Sequence, residues 1–446
     1  MTDYHLSDRL GVYPAEIHRE LNPTWLGAVI ALEGVIPPRV QGARYLDIGC
    51  GAGMDVIALA CANPDMTFVG VDPDPNHILH AEGLARRLSL PNISFISGGF
   101  DDPRIGNGYD IVVAHGVYSW LSEADRARFR HCFASAIGAG GIGVLHYLVE
   151  PGAHLWRSLR AVLAGLTEHL PVPQALARMA EMARMRWGVF ANLPGAKALI
   201  DALRAWPVET LRHDLLNSHY APEAAPVLIA DLARLGLGFV ASADPLANHD
   251  VFALPGGLSP EAPQSRAHRA GLSDIATGRL SRVDIFAPDA RLIPADRVAL
   301  MLDGLSFALM PGRSRVTGFH VPTVFGPISP DADMAHAVLA RLGQGPASVR
   351  ALADLPGITG DLAALFQMLA GMMAVGLVHP LRGIRQDSHH TAAFNALACH
   401  DALSGGVPGP ISIATGGVIW VGSDAQPVSG ARIAALMAAD QVGFFE

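Results

Sequence analysis

Short apolar runs and longer segments with helical spacing alternate along the chain from residue 43 to residue 149. Each apolar run has the length of a strand, and apolar residues between the runs recur every three to four positions. Strands that alternate with helices in this way predict an α/β fold with a doubly wound, Rossmann-like parallel sheet. The pattern resumes near residue 225, and the strand-like runs 237–244 and 280–288 extend the predicted sheet.

Breaks in this pattern divide the chain into three predicted parts. Residues 1–41 contain one helical pattern, 24–33, which we interpret as an N-terminal helical lid. Residues 42–288 form the predicted core, which is interrupted by a mostly helical insert at about 151–210. Residues 289–446 are predicted to form a C-terminal winged-helix-like α+β module with a regulatory or substrate-docking role.

The prediction of this module depends on three helical patterns that are followed by a strand-like segment. The patterns cover 331–342, 348–355 and 361–373, and the strand-like segment is GLVHP. In the glycine-rich stretch 404–430 we expect loops with one short hairpin, and a last helix is predicted from about 430 to 439.

The first predicted strand ends in a glycine-rich turn with the sequence Leu46-Asp47-Ile48-Gly49-Cys50-Gly51-Ala52-Gly53. Glycines at such a turn let the backbone approach a ligand without a clash from Cβ. A dinucleotide fingerprint, G-x-G-x-x-G, would need a sixth-position glycine where the chain has Met54. A nucleotide-free or NAD-type Rossmann domain, whose glycines serve only the turn, is the alternative interpretation.

Acidic residues stand where the next two strands are predicted to end. Asp72 closes the second strand, and an acidic side chain there can accept hydrogen bonds from both ribose hydroxyls. The third strand ends in Gly98-Gly99-Phe100-Asp101. These positions extend the predicted ligand site along one edge of the sheet.

The spacing Asp47-x-Gly49-x-Gly51-x-Gly53 resembles motif I of class I S-adenosylmethionine (SAM) methyltransferases. The resemblance implies that SAM is the cofactor and that S-adenosylhomocysteine (SAH) is the product. It also implies that Asp72 contacts the ribose and that Phe100 and Asp101 contact the adenine. The residues implied to bind the cofactor are Asp47, Gly49, Cys50, Gly51, Gly53, Asp72, Pro73, Gly99, Phe100, Asp101 and His115.

Three further segments resemble one subgroup of these enzymes: HGVYSW at 115–120, RHDLLNSHYAP at 212–222 and GRLSRVDIF at 278–286. The subgroup consists of bacterial methyltransferases with an appended regulatory domain, including the rickettsial protein-lysine methyltransferases that act on outer-membrane proteins. The resemblance therefore implies a SAM-dependent enzyme whose acceptor is an amine such as a protein lysine. It departs at 145–153, which lacks the subgroup's Asn and Trp.

The methyl acceptor is expected beyond the fourth and fifth strands, because ligands of such sheets lie at the carboxyl ends of the strands. The candidates there are His115, Tyr118, Trp120, His146 and Tyr147. The three aromatic rings could enclose an amine, and the two histidines could assist its deprotonation. Core packing of the rings and structural hydrogen bonds of the histidines remain alternatives.

Other histidines and the cysteines carry less information. His213 and Asp214 could hold a substrate amine or cap the start of a helix. His389, His390 and His400 lack a nearby set of carboxylates and cysteines, so no metal site is expected. The four cysteines are widely spaced, which predicts neither a zinc site nor a disulfide framework and fits a reducing cytoplasm.

Charge and hydropathy limit the partners. The formal net charge is −9, and residues 331–446 carry nine acidic residues and five arginines, so nucleic acid is not an expected partner. The longest charge-free apolar run, 362–378, is shorter than the about 20 residues of a spanning helix, so we expect a cytoplasmic protein without a membrane span. A homodimer is left open, as are two alternatives: a small-molecule N- or O-methyltransferase and a non-catalytic SAM-binding regulatory protein.

Overall fold

The structure is a computed structural model of the chain. It describes residues 17–193, 195–206, 208–256, 265–289, 291–310, 313, 316–358, 360–382, 390–395, 411–412 and 417–418.

Seven strands form the central sheet, in the order β3-β2-β1-β4-β5-β7-β6. Their bounds are β1 (Arg44–Ile48), β2 (Thr67–Asp72), β3 (Ile93–Ser97), β4 (Tyr109–Ala114), β5 (Ile137–Leu148), β6 (Gly238–Ser242) and β7 (Ser281–Ala287). The strand order reverses between β1 and β4, and a crevice for ligands forms at such a switch point. The predicted α/β class and all seven predicted strands are confirmed.

One strand runs against the predicted direction. β1, β2, β3, β4 and β5 are parallel, whereas β7 is antiparallel to both β5 and β6. The expectation of an entirely parallel sheet was therefore wrong. The connection from β6 to β7 starts and ends at the same edge of the sheet, and such a connection gives antiparallel neighbours without a crossover.

Helices cover both faces of the sheet. The helices that precede the C-terminal region are α1 (Pro23–Leu32), α2 (Met54–Ala62), α3 (Pro75–Arg87), α4 (Glu123–Ala136), α5 (His154–Thr167), α6 (Val172–Arg184), α7 (Ala196–Leu203), α8 (Val208–Leu215), α9 (Ala225–Arg234), α10 (Asp250–Ala253) and α11 (Arg266–Thr277). Side chains of β1 alternate between two hydrophobic clusters: Tyr45 packs with α1 and α2, whereas Leu46 and Ile48 pack with α4 and α9.

The predicted helical insert is present as α5, α6, α7 and α8. These helices pack around a hydrophobic cluster of their own, which includes Leu163, Leu176 and Ile200. The cluster is separate from the two that flank the sheet, because the apolar faces of the four amphipathic helices turn toward one another.

The N-terminal helix α1 is a core element and not a lid. Every residue of α1 except Gly27 is buried. The indole N–H of Trp25 donates to the carbonyl oxygen of Ala243 at 2.9 Å, and its ring centroid lies 5.8 Å from that of His379. Because α1 is apolar on nearly all sides, it fits only where protein surrounds it.

The C-terminal region contains the predicted helices and strand. The elements are α12 (Ala295–Gly304), β8 (Ser306–Leu309), β9 (Val321–Thr323), β10 (Gly326–Ile328), α13 (Ala332–Leu342), β11 (Ala347–Ser348), α14 (Val349–Ala353), α15 (Leu362–Ala374), β12 (Val378–Leu381), β13 (Ile411–Ser412) and β14 (Gly417–Val418). β8 lies between β11 and β12 in a small antiparallel sheet, and β13 pairs with β14 as the expected hairpin. The last predicted helix lies outside the residues that the structure describes.

Helices α13, α14 and α15 share one hydrophobic cluster with α1 and the central sheet. The apolar run 362–378 is divided between α15 and the start of β12. Across the part of the chain that the structure describes, no helix combines the length and the apolar character that a membrane crossing requires.

We predict that Trp25→Ala lowers the free energy of unfolding by about 3–5 kcal/mol, because it leaves a cavity and removes the hydrogen bond to Ala243. Urea unfolding followed by circular dichroism measures this loss. Trp187→Ala is the matched control: Trp187 is 46% exposed, so its loss should cost less than about 1 kcal/mol. Equal effects of the two substitutions would contradict the buried role of α1.

We also predict a loss of stability between pH 6.5 and pH 4. Burial lowers the pKa of His379 to about 4, so the unfolded chain binds a proton in this window that the folded chain does not. The folded state is therefore favoured above pH 6.5 and loses up to about 3 kcal/mol as the pH falls to about 4. Thermal unfolding across this range should show a shallower decline for His379→Gln, whereas the exposed-site variant His268→Gln should follow the wild type.

Candidate functional site

The glycine-rich turn after β1 is held against the end of β2. The backbone N–H groups of Gly49 and Cys50 both donate to the carbonyl oxygen of Val71, at 2.7 and 3.0 Å. The N–H of Gly51 donates to a carboxylate oxygen of Asp72 at 2.9 Å. These bonds fix the turn at the switch point of the sheet, where it leads directly into α2.

Two of the glycines are required for different reasons. Gly49 has a φ of +80°, and a Cβ atom there would lie 2.2 Å from a methyl carbon of Val117 in the loop after β4. Gly51 has a φ of +53°, and a Cβ atom on it would meet no atom within 4 Å in the described parts of the chain. Gly49 thus allows two loops to touch, and Gly51 faces open space that a ligand can fill.

Asp47 lies beneath this turn and is 4% exposed. Burial, followed by repulsion from Asp55 and Asp72, raises the pKa of Asp47 well above its usual value. Among the hydrogen bonds of the described residues, none reaches this carboxyl group. A cationic ligand group beside it would relieve the cost of the buried charge, so the site fits the ammonium group of SAM.

Asp72 is held by its neighbours at the end of β2. One carboxylate oxygen accepts from the N–H of Asp74 at 2.9 Å and lies 3.1 Å from Nδ1 of His77. The hydrogen bond with Asp72 raises the pKa of His77. His77 was not among the residues predicted from the sequence. Its position five residues after Asp72, in the first turns of α3, could have indicated this contact.

The residues expected at the adenine lie after β3. The ring of Phe100 packs edge-on against Phe129 of α4, at 5.5 Å between centroids. Asp101 forms an ion pair with Arg128, whose guanidinium lies 5.6 Å from the Phe100 ring centroid. Pro73 is exposed beyond β2.

Three histidine rings lie against one another near the glycine-rich turn, tilted by 36° and 32°. The His115 ring lies between His18 and His146, at centroid distances of 3.9 and 4.3 Å. Burial, with His146 and His18 nearby, lowers the pKa of His115, and burial lowers the pKa of His146 to about 4. Both rings are therefore neutral at pH 7. Nδ1 of His146 accepts from the N–H of Gly116 at 3.2 Å, which leaves its proton on Nε2.

The third ring, His18, was missed by the sequence analysis. Its backbone N–H and its Nδ1 contact the two carboxylate oxygens of Asp55, at 2.7 and 2.8 Å. The next acidic residue, Glu20, places Oε1 at 3.8 Å from Nε2 of His115. No local pattern singles out these residues, because they precede α1 in a short segment without periodicity.

The structure does not assemble the expected aromatic cage. Tyr118 and Tyr147 have no exposed surface. The Tyr118 hydroxyl donates to Glu223 at 2.8 Å and accepts from Arg130, whereas the Tyr147 hydroxyl donates to Asp284 at 2.7 Å. Neither ring is open to an acceptor in this conformation.

Trp120 lies apart from these two tyrosines. Its ring is 8% exposed and packs against His213 and Tyr220, with Arg160 nearby. His213 and Asp214 contact each other at 2.7 Å in the last turn of α8. The alternative that they cap the start of a helix was therefore wrong.

The buried tyrosine Tyr147 belongs to an ion network beneath the sheet edge. Arg282 of β7 donates to Asp284 at 2.7 Å and to Asp274 of α11 at 2.8 Å. All three charged side chains are almost completely buried. The network joins β5, β7 and α11.

No group of three or more histidines, cysteines or acidic residues is arranged to hold a metal ion in the described parts of the chain. His389 and His400 lie outside them, and Nδ1 of His390 lies 2.9 Å from the carbonyl oxygen of Leu88.

Comparisons with known proteins identify a methyltransferase domain in the part of the chain that contains these residues. Residues 39–150 match the family model described as a methyltransferase domain. An uncharacterized protein of Synechocystis is 25% identical over 86% of this chain and 79% of its own length. An uncharacterized protein of Rickettsia prowazekii is 31% identical, but the match covers 32% of this chain and only 26% of that relative.

A solved structure extends the match beyond this domain. PKMT2 from Rickettsia typhi, in complex with AdoHcy, superposes with a TM-score of 0.64 and 19% identity, over 83% of this chain and 77% of that one. This likeness shows a shared fold. The matched domain contains the turn after β1, the end of β2 and the loop after β4. The chain therefore contains a SAM-dependent methyltransferase domain and shares its fold with the rickettsial structure.

Proposed function

We propose that the chain transfers a methyl group from SAM to an amine, and that the amine is the side-chain nitrogen of a protein lysine. The resemblance of 115–120, 212–222 and 278–286 to the rickettsial protein-lysine methyltransferases supports this acceptor. The pair of neutral histidines at the ends of β4 and β5 is the observation on which the proposal depends.

The cofactor is proposed to lie across the ends of β1, β2 and β3. Asp47 would face its ammonium group, Gly51 would give it space, Asp72 would contact the ribose, and Phe100 and Asp101 would contact the adenine. When bound, SAM supplies a methyl group that is already activated on a sulfonium sulfur. The protein's own task is therefore to position the acceptor and keep its nitrogen unprotonated.

An amine attacks only in its neutral form, so the charges of the side chains around the acceptor nitrogen affect the reaction. Because the pKa values of His115 and His146 are lowered, neither ring adds positive charge at pH 7. His115 would accept a hydrogen bond from the neutral acceptor nitrogen and orient it, whereas Nδ1 of His146 is occupied by the N–H of Gly116. A strong base is not required of either ring. Tyr118 and Tyr147 would stabilise the positions of β4 and β5 through their buried hydrogen bonds.

The C-terminal region is proposed to be a winged-helix-like docking module for the acceptor protein. Helices α13, α14 and α15 and the sheet β11-β8-β12 support this interpretation. Residues 361–373 carry no lysine or arginine, which disfavours contact with nucleic acid.

Incubation of the protein with methyl-labelled SAM and a bacterial lysate tests the acceptor class. We expect label in protein, on lysine residues after hydrolysis. Label that appears only in small molecules would favour the alternative of a small-molecule N- or O-methyltransferase. An absence of any transfer, with SAH still bound, would favour a non-catalytic SAM-binding protein.

We predict that Gly51→Val weakens SAH binding more than about tenfold, because the new side chain fills the space that Gly51 leaves open. Isothermal titration calorimetry measures this change. Gly106→Val is the matched control: Gly106 also has a positive φ, of +70°, and open space around it, but it lies in the exposed loop before β4. If both variants bind SAH equally well, Gly51 does not face the ligand.

A further inference from the structure

A cleft lies beside the ring of His115, at the carboxyl end of β6 and the start of β7. Its volume is about 170 Å³. One wall comes from the segment that precedes α1 and from α1 itself, and the other comes from β6, β7 and the residues that flank them. The lining residues used below are Arg19, Glu20, Asp244, Arg279, Arg282 and Val283.

Two contacts connect this cleft to the proposed acceptor side. Val283, which lines the cleft, is the register partner of His146 across β5 and β7. Glu20, which also lines it, lies 3.8 Å from Nε2 of His115. A group that enters the cleft along Glu20 therefore reaches the two neutral histidines.

Two of the arginines that line the cleft are paired with carboxylates, and the third, Arg19, donates to the carbonyl oxygen of Ala374 and lies over the Trp25 ring. Arg282 contacts Asp274 and Asp284, both almost completely buried. Arg279 lies 3.3 Å from Asp274 and 3.7 Å from Asp244. Within the described residues, no arginine or lysine lies within ion-pair distance of Glu20, whose side chain is 27% exposed. The other acidic residue named among the lining residues, Asp244, is already within ion-pair distance of Arg279, so Glu20 is the carboxylate left for an incoming cation.

The size of the cleft also limits its occupant. Pockets that enclose drug-sized ligands have volumes of about 300–1,000 Å³, and this cleft is smaller. It can hold one long, unbranched side chain whose cationic end reaches Glu20. A metabolite with a ring system would need a larger and more apolar enclosure.

We propose that this cleft receives the lysine side chain of the acceptor and that Glu20 binds its ammonium group. The proposal rests on the proposed function and adds the site and the residue that select a primary amine. The ammonium group releases one proton to water at the open mouth of the cleft. The nitrogen lone pair then forms a bond to the methyl carbon while the carbon–sulfur bond breaks, and the methylated nitrogen regains a positive charge that Glu20 stabilises.

Direct binding tests this proposal without any methyl transfer. The probe is the peptide acetyl-Gly-Gly-Lys-Gly-Gly-amide, titrated into the full-length protein loaded with SAH and followed by NMR. The same peptide with norleucine in place of lysine lacks the ammonium group and serves as the ligand control. We expect Glu20→Gln to weaken binding of the lysine peptide about tenfold or more, because a hydrogen-bonded charge pair is lost.

A matched variant separates this effect from bulk charge. Glu168→Gln removes the same charge at an exposed position at the end of α5 and should leave peptide binding unchanged. SAH affinity and thermal stability should not change in Glu20→Gln, which keeps the shape of the side chain.

The outcomes distinguish this proposal from the proposed function. Equal binding by wild type and Glu20→Gln, or equal binding of the lysine and norleucine peptides, overturns the assignment of Glu20 even if label enters protein lysines. A loss confined to Glu20→Gln supports the cleft even if the lysate assay identifies a small-molecule amine as the natural acceptor.

Discussion

The buried ion network of Arg282, Asp284 and Asp274 fixes the strands that carry the proposed acceptor side. It joins β7 to α11, and through the Tyr147 hydroxyl it also joins β5. Replacing one partner of such a buried set typically costs about 3–5 kcal/mol, because a charge is left without compensation. The network therefore sets the position of β7 relative to β5, which carries His146 at its carboxyl end.

The segment before α1 connects regions that are far apart in the sequence. His18 contacts Asp55 in the first turn of α2. The guanidinium of Arg19 donates to the carbonyl oxygen of Ala374 at the end of α15. The hydroxyl of Tyr45 in β1 donates to the carbonyl oxygen of Leu21. The start of α2, β1 and the C-terminal region thus contact the same few residues.

Electrostatics divide the sheet edge into two parts. Around the turn after β1, burial and the nearby carboxylates of Asp55 and Asp72 raise the pKa of Asp47, which suits a cationic ligand. At the ends of β4 and β5, burial keeps His115 and His146 neutral. The proposed transfer to an amine requires a cationic donor and a neutral acceptor, and these two parts of the edge suit one partner each.

The sequence by itself determined the α/β class, the seven strands, the helical insert and the position of the glycine-rich turn, because periodicity and turn residues are local properties. It could not show that β7 runs antiparallel or that α1 is buried, since both follow from which surfaces pack together. Tyr118 and Tyr147 are residue types that could contact a methyl acceptor. Only the fold decided that their hydroxyls donate to Glu223 and Asp284 instead. His18 and Glu20 became visible only in three dimensions, because the contacts that give them meaning join residues about 40 to 100 positions apart.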